Sequence, residues 1–438
     1  MGKRKPKQEP LFFSTQEIPR AASHPFYAKV NEILERYKLD KRLEHLCKRF
    51  YKPVMGRPSM VPGVYFRMLL LGYFEGIDSE RGIAWRVADS FSLREFLGFT
   101  LTESTPDHST MSRTRRLMPV ETHKAVFRWF VKVLGEEGLI DGQTVAVDAT
   151  MLEANAAMRS IRRRDDGRGY EEYLKDLAKA EGIEEPTREQ AARLDRRRKK
   201  KASNKDWMSP TDASARIARM KDGRTHLAHK AEHAVDLSSG AVVAITLQAA
   251  DLGDTTTIGV TLQEAQANAL IDERGVEEVV ADKGYHSNDV LVDLHEEGVR
   301  SYIPEPERGP RKWDGKEQEQ KQVYANRRRM GGRRGKDLQK LRTELTERSF
   351  AHMYETGGMR RTHLKGQKNI LKRLLFHAVG FNLALLLRKS SGIGKPRTLQ
   401  GFSAAISLVQ AIWKSICAAW TRFTALGEPR FAFSSDAQ

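Results

Sequence analysis

Two aspartates in this chain each close a short run of small and β-branched apolar residues. Asp148 follows Val145, Ala146 and Val147, and Asp282 follows Val279, Val280 and Ala281. A carboxylate directly after a buried strand sits in a rigid frame, whereas one on a helix surface is usually only a solvated charge. A lone strand-end Asp is ordinarily a turn or cap residue; two in one basic chain invite a shared use. Adjacent in a sheet, they make an oxygen-rich site suited to Mg²⁺ (or Mn²⁺), hard ions that prefer carboxylates, waters and phosphate oxygens to His or Cys. Two such ions about 3.5–4 Å apart stabilise both the attacking and the leaving oxygen of an in-line phosphoryl displacement.

That chemistry calls for a third acid. The stretch KLRTELTERSFAHMYETGG offers Glu344, Glu347 and Glu355 on a helical pattern. Glu347 falls near the face that carries Leu341, Phe350, Ala351 and Tyr354, which places it toward the side expected to pack on a sheet. Glu355 abuts the Gly357-Gly358 break and ranks second; Glu344 ranks third.

The elements that must hold these acids follow from a change of period. Up to residue 138 the signals are helical, with Pro62 near a helix start, Ser79 as an N-cap, and Pro106 and Asp107 turning into a helix that bears Arg113, Arg115 and Arg116. From Gly142 the pattern becomes strand-like: TVAVDA, then KAEHAVDL and GAVVAITL as a hairpin, then EEVVADKGY and VRSYIP. Helical stretches, DTTTIGVTLQEAQANAL among them, lie between or after the strands, which makes this part an α/β domain. The divisions are a basic N-terminal segment (1–56), a helical block (57–138), an α/β domain (140–390) and a C-terminal helical tail (391–438). Residues 159–224 are dense in charge and read as a flexible basic arm inserted after the first strand.

Lys and Arg number 75 against 57 Asp and Glu over 438 residues, a formal charge of +18 that favours a polyanionic partner, nucleic acid above all. The longest apolar run, Leu374 to Leu387, is too short to span a bilayer and contains His377 and Asn382, so it reads as a packed helix and no membrane role is expected. The start MGKRKPKQEP lacks the apolar core of a secretory signal. The two cysteines, Cys47 and Cys417, offer neither a disulfide framework nor a zinc site, and a cytoplasmic, nucleoid-associated location is expected.

In this order, Asp148, Asp282 and Glu347 resemble the acid triad of bacterial insertion-sequence DDE transposases. Further blocks are similar to that family over about residues 60–390: SERGIAWRVADSFSLREFLGF and PDHSTMSRTRRL in the helical part, the ADKGY turn at the second Asp, and TERSFAHMYETGGMRRTHLKGQKN near the end. The resemblance implies an RNase H-like catalytic core, a mixed sheet flanked by helices, behind an all-α N-terminal DNA-binding domain. It implies that Asp148, Asp282 and Glu347 bind two Mg²⁺ (or Mn²⁺) ions. It further implies a homo-oligomer acting on double-stranded DNA, cutting at terminal inverted repeats and joining the freed 3′-hydroxyl to target DNA, with no covalent protein intermediate. Many relatives carry an Arg one helical turn before the Glu and a basic residue two turns after it; here Thr343 and Tyr354 hold those places, with Arg342 and Arg348 as the nearest substitutes.

Candidate DNA contacts are Arg113, Arg115 and Arg116, Lys283, and Arg360, Arg361 and Lys365; each also fits an ordinary solvated basic face. His286, close behind Lys283, carries the same two readings. His229 and His233 have metal-ligand spacing, but no third soft ligand follows them, so zinc is not expected. Two other readings keep the same residues: a metal-dependent DNA nuclease of the same fold, and a non-catalytic DNA-binding protein derived from a transposase.

Overall fold

The computed structural model describes residues 24–51, 59–197, 202–220, 222–269, 275–309, 311–392, 394 and 396. Its N-terminal part is helical: α1 (Pro25–Arg36), α2 (Leu39–Cys47), α3 (Pro62–Phe74), α4 (Glu80–Asp89), α5 (Phe91–Phe96), α6 (His108–Leu117) and α7 (Val120–Glu136). The starts are locally encoded. Pro62 opens α3, the Ser79 hydroxyl accepts from Gly82 N–H at 3.1 Å to cap α4, and Asp107 accepts from Thr110 N–H at 2.7 Å to cap α6.

The sheet begins at β1 (Thr144–Glu153). The small elements β2 (Arg162–Arg163), α8 (Tyr170–Ala180), α9 (Arg188–Arg197) and β3 (Trp207–Met208) intervene before β4 (Arg216–Arg219), β5 (Thr225–Asp236) and β6 (Val242–Ala249). Then come α10 (Asp254–Ala269), β7 (Glu278–Val280), α11 (Asn288–Glu296), β8 (Arg300–Tyr302), α12 (Glu317–Gly331), α13 (Arg333–Phe350) and α14 (Gln367–Ser391), with a π-helical turn over Ala351–Thr356. The strand order is β4-β5-β1-β7-β8, with β6 beside the second half of β5. Pairing is antiparallel between β1 and β5 and parallel from β1 to β7 and β7 to β8, a mixed sheet. The expected hairpin is β5–β6.

Helices α10 and α13 take opposite faces of this sheet. Alternation along β5 sends Lys230 and Glu232 toward α10, where they bond Thr257, and sends His233 toward α13 and the π-helical turn after it, where it meets Ser349 and Tyr354. The Leu374–Leu387 run lies in α14; 89% of that helix's most apolar window is buried inside the protein, against α3, α7 and β6. Phe66 of α3 stacks on Phe376 at 4.7 Å, and Asn382 pairs with both backbone groups of Val242. The helical block and the sheet thereby share one core.

The expectation of a flexible arm over 159–224 is corrected by the structure. In its described residues this stretch folds around Trp207, which is buried with Ala154, Ile161, Ala215 and Leu227 and is met edge-on by Tyr170 and Tyr173. Among the described residues the charges border this small core: Arg163, for instance, spans Tyr173 and Trp207 while pairing with Asp165. One buried Trp with two Tyr supplies enough apolar area to order a segment whose average composition is polar. The predicted tail of 391–438 lies almost wholly outside the described residues.

Candidate active site

Asp148 sits within β1, between β5 and β7, its side chain 23% exposed. Val145, Ala146 and Val147 before it are fully buried, which fixes the strand and hence the direction of the carboxylate. Its Oδ1 accepts from the N–H of Ala149 at 2.8 Å. Its Oδ2 takes Arg342 Nη1 at 3.0 Å and lies 3.2 Å from the Thr346 hydroxyl, both from α13. Burial pushes the carboxyl pKa above the ordinary range; Arg342 opposes that, and the negative charge of Asp282 adds to it. The two aspartates are therefore within electrostatic reach of each other.

Asp282 leaves β7 and caps a single 3₁₀ turn, Lys283–Tyr285, in which its Oδ1 accepts from Gly284 N–H at 2.8 Å. Gly284 is required by close approach. A Cβ there would lie 2.6 Å from Asp254 Oδ2 and 3.0 Å from Asp282 Oδ1, so two carboxylates flank a spot only glycine leaves open. Gln339 of α13 reaches back to this end of the sheet, donating to the carbonyls of Ala281 at 3.1 Å and Tyr302 at 2.8 Å. Residues 339, 342 and 346 thus form one polar stripe of α13 lying over both aspartates.

That stripe corrects the face expected for the third acid. The inward side of α13 carries Leu338, Leu345, Thr346 and Ser349, while Leu341 is 40% exposed and Glu347 is exposed. The hydropathy reading was drawn toward Leu341 because the true inward stripe contains Gln339, Arg342, Thr346 and Ser349, polar residues that bond the sheet rather than solvent. Glu347 follows Thr346 directly, one step around the helix from the group that touches Asp148. Glu344 is exposed and pairs with Arg348, and Glu355 pairs with Arg360. Of the two substitutes considered for the missing Arg, Arg342 is the one on Asp148. Tyr354 is buried and bonds His233 Nε2 at 2.9 Å.

The basic candidates fall into two groups. Arg113, Arg116, Lys283 and Lys365 are exposed. Arg115 is drawn inward onto Glu80 at 3.2 Å, Arg361 lies 3.6 Å from Glu153, and Arg360 is paired as above. His286 is 2% exposed, behind the Asp282 turn rather than on its surface. His229 and His233 share a strand face but belong to separate networks, His229 with Asp212 at 3.1 Å and His233 with Ser349 and Tyr354.

Sequence reasoning missed a buried cluster on the α10 face. Glu232 is fully buried and accepts from Thr257 at 2.8 Å, from Tyr285 at 2.8 Å and from Thr261. Lys230, 1% exposed, donates to Thr257 at 2.8 Å and pairs with Asp254 at 2.5 Å. The available signal was a Lys and a Glu two apart in a strand whose other residues read as buried, an arrangement that forces both charges to one face and so toward each other's partners.

Among the described residues no three His, Cys, Asp or Glu side chains converge at ligand distance. The donor chemistry nevertheless fits a divalent cation. Asp148 and Asp282 offer carboxylate oxygens within electrostatic reach of each other, the Asp148 carboxyl has its pKa raised, and a single guanidinium, that of Arg342, is the only cation bonded to Asp148 among the described residues. A hard ion would relieve that excess negative charge.

Asp148, within β1, and Asp282, just past β7, thus lie on neighbouring strands of a mixed sheet beside the polar side of α13. The chain matches the family described as Transposase DDE domain over residues 141–383, and the one described as Transposase domain (DUF772) over residues 14–117. It belongs to the DDE transposases of insertion sequences, whose catalytic domain has the RNase H-like fold. No curated protein and no solved structure matches the chain.

Proposed function

We propose that this DNA transposase cuts the ends of its own element and joins the freed 3′-hydroxyl to target DNA, with Asp148, Asp282 and Glu347 as its acids. The observation that carries the reading is the placement of Asp148 in β1 and of Asp282 at the exit of β7, the adjacent parallel strand, close enough for one carboxylate to raise the pKa of the other. Mg²⁺ or Mn²⁺ bound there would supply Lewis-acid stabilisation of the charge that develops on the attacking and leaving oxygens.

The chain's own residues do the rest. Arg342 orients Asp148 and opposes the rise of its pKa, and the Gly284 N–H holds Asp282 Oδ1. Lys283, exposed at the next position, is placed to meet a phosphate flanking the scissile one. Arg113 and Arg116 on α6, with Lys365 near the start of α14, offer further phosphate contacts. Arg360 and Arg361 join them by exchanging Glu355 and Glu153 for DNA, whereas Arg115 serves to hold α6 on α4 through Glu80. Two copies on two element ends would make the active assembly.

The test is incubation of the protein with a duplex carrying the ends that flank its gene, with Mg²⁺ or EDTA, for the wild type and Asp148→Ala. Metal-dependent nicking at the ends followed by joining, absent from the variant, is expected. Indiscriminate cutting without joining favours a nuclease, and end-specific binding with no cutting favours a non-catalytic binder.

A further inference from the structure

The turn that presents Asp282 is only four residues long, and a free turn of that length would let the carboxylate wander. What restrains it is its last residue. Tyr285 is fully buried, its backbone N–H returns to the Asp282 carbonyl at 3.2 Å, and its hydroxyl donates to Glu232 Oε1 at 2.8 Å. Glu232 lies on β5 opposite Ala149, one register step from Asp148 and on the other face of the sheet. Thr257 and Thr261 of α10 hold the carboxylate from one side, Thr246 of β6 backs Thr261 at 2.6 Å, and Lys230 Nζ stands 3.8 Å away. Every group in this cluster is tied to an element of the sheet or to α10. A buried ion pair with its hydroxyls adds little net stability over apolar residues of similar size, so the cluster's value must be sought in the geometry it fixes.

We infer that Glu232 is a positioning residue for Asp282, acting through the hydroxyl of Tyr285 to hold the Asp282-to-Tyr285 turn against the sheet. The inference rests on the proposed role of Asp282. Lys230 completes the device: it compensates Glu232 and holds Asp254, the second carboxylate that crowds Gly284.

The experiment compares full-length wild type, Tyr285→Phe, Glu232→Gln, the double variant and Thr261→Val, titrating Mg²⁺ in the nicking assay on the duplex described above and measuring DNA affinity and thermal unfolding in parallel. Tyr285→Phe should raise the Mg²⁺ concentration for half-maximal nicking roughly tenfold, the scale of one hydrogen bond to a charged group, with DNA affinity unchanged. Glu232→Gln should shift it in the same direction. The double variant should be no worse than the more damaged single one, because both residues act along one path. Thr261→Val removes a different donor from Glu232 and leaves the Tyr285 hydroxyl bond in place; it should lower thermal stability while shifting the Mg²⁺ dependence clearly less than Tyr285→Phe does. A wild-type Mg²⁺ dependence in Tyr285→Phe, effects that multiply in the double variant, or an equal shift in Thr261→Val would each overturn the inference while leaving the site assignment intact. Wild-type protein whose nicking is unaffected by Asp282→Asn would overturn the site assignment and the inference with it.

Discussion

Adjacent register positions of the same strand pair carry carboxylates in opposite circumstances. On the α10 face, Glu232 opposite Ala149 is fully buried, with three hydroxyl donors and a lysine beside it. On the α13 face, Asp148 opposite His233 is partly exposed, bonded by one guanidinium, one hydroxyl and one backbone N–H, and still has its pKa raised. The first acid is saturated and serves the frame. The second is left short of positive charge and partly open to solvent, so that a cation, and not an anion, would be favoured beside it. Burial alone therefore does not distinguish the two acids; the completeness of their compensation does.

The contrast can be broken most forcefully at the saturated acid. Glu232→Ala removes the shared acceptor of three buried hydroxyls and one of the two carboxylates beside Lys230, and should lower unfolding free energy by about 3 kcal/mol in urea titrations; a loss under about 1 kcal/mol would mean the cluster is not the frame it is taken for. Gly284→Ala strikes between the two acids. Its Cβ must displace Asp254 or Asp282, so nicking should fall more than about tenfold while the urea midpoint moves only slightly, the mark of a misplaced carboxylate rather than a broken core.

Acid sharpens the contrast more gently. Burial lowers the pKa of His123, His233 and His377 to about 3. A group whose folded pKa is depressed binds more protons when unfolded, so its contribution to stability is present above the unfolded pKa of about 6.5 and is lost as pH falls toward 3. Each should cost on the order of 1 kcal/mol by about pH 5.5, seen as a falling melting temperature, and His233→Gln should flatten that slope. The smallest effect belongs to Arg342. Its loss removes the main influence that lowers the Asp148 pKa, so Arg342→Gln should move the acid limb of the nicking–pH profile to higher pH. A shift toward lower pH would mean that another group sets that limb.

Much of this was legible in the sequence, for local reasons. The β1 and β7 runs, the β5–β6 hairpin and the caps at Ser79 and Asp107 are written in neighbouring residues, as is the place of Asp282 just past β7; that β1 runs on through Asp148 to Glu153 is not, because the apolar run stops at Val147 and pairing with β5 carries the strand further. The inward face of α13 was not, because it is polar: Gln339, Arg342 and Thr346 bond backbone and Asp148 instead of packing as apolar side chains, and no periodicity of hydrophobic residues announces them. The insertion was misread for the opposite reason, since one buried Trp207 outweighs a long charged composition. The Glu232 cluster depends on residues from β5, α10 and the Asp282 turn, contacts that only the tertiary fold assembles.

The central claim, that Asp148 is a reactive acid and Glu232 a structural one, is tested most directly by measuring end nicking and thermal unfolding together for Asp148→Asn. The account predicts that nicking in Mg²⁺ disappears while the protein remains folded and binds its DNA ends as the wild type does. Wild-type nicking by Asp148→Asn, or loss of folding in step with loss of nicking, would contradict it.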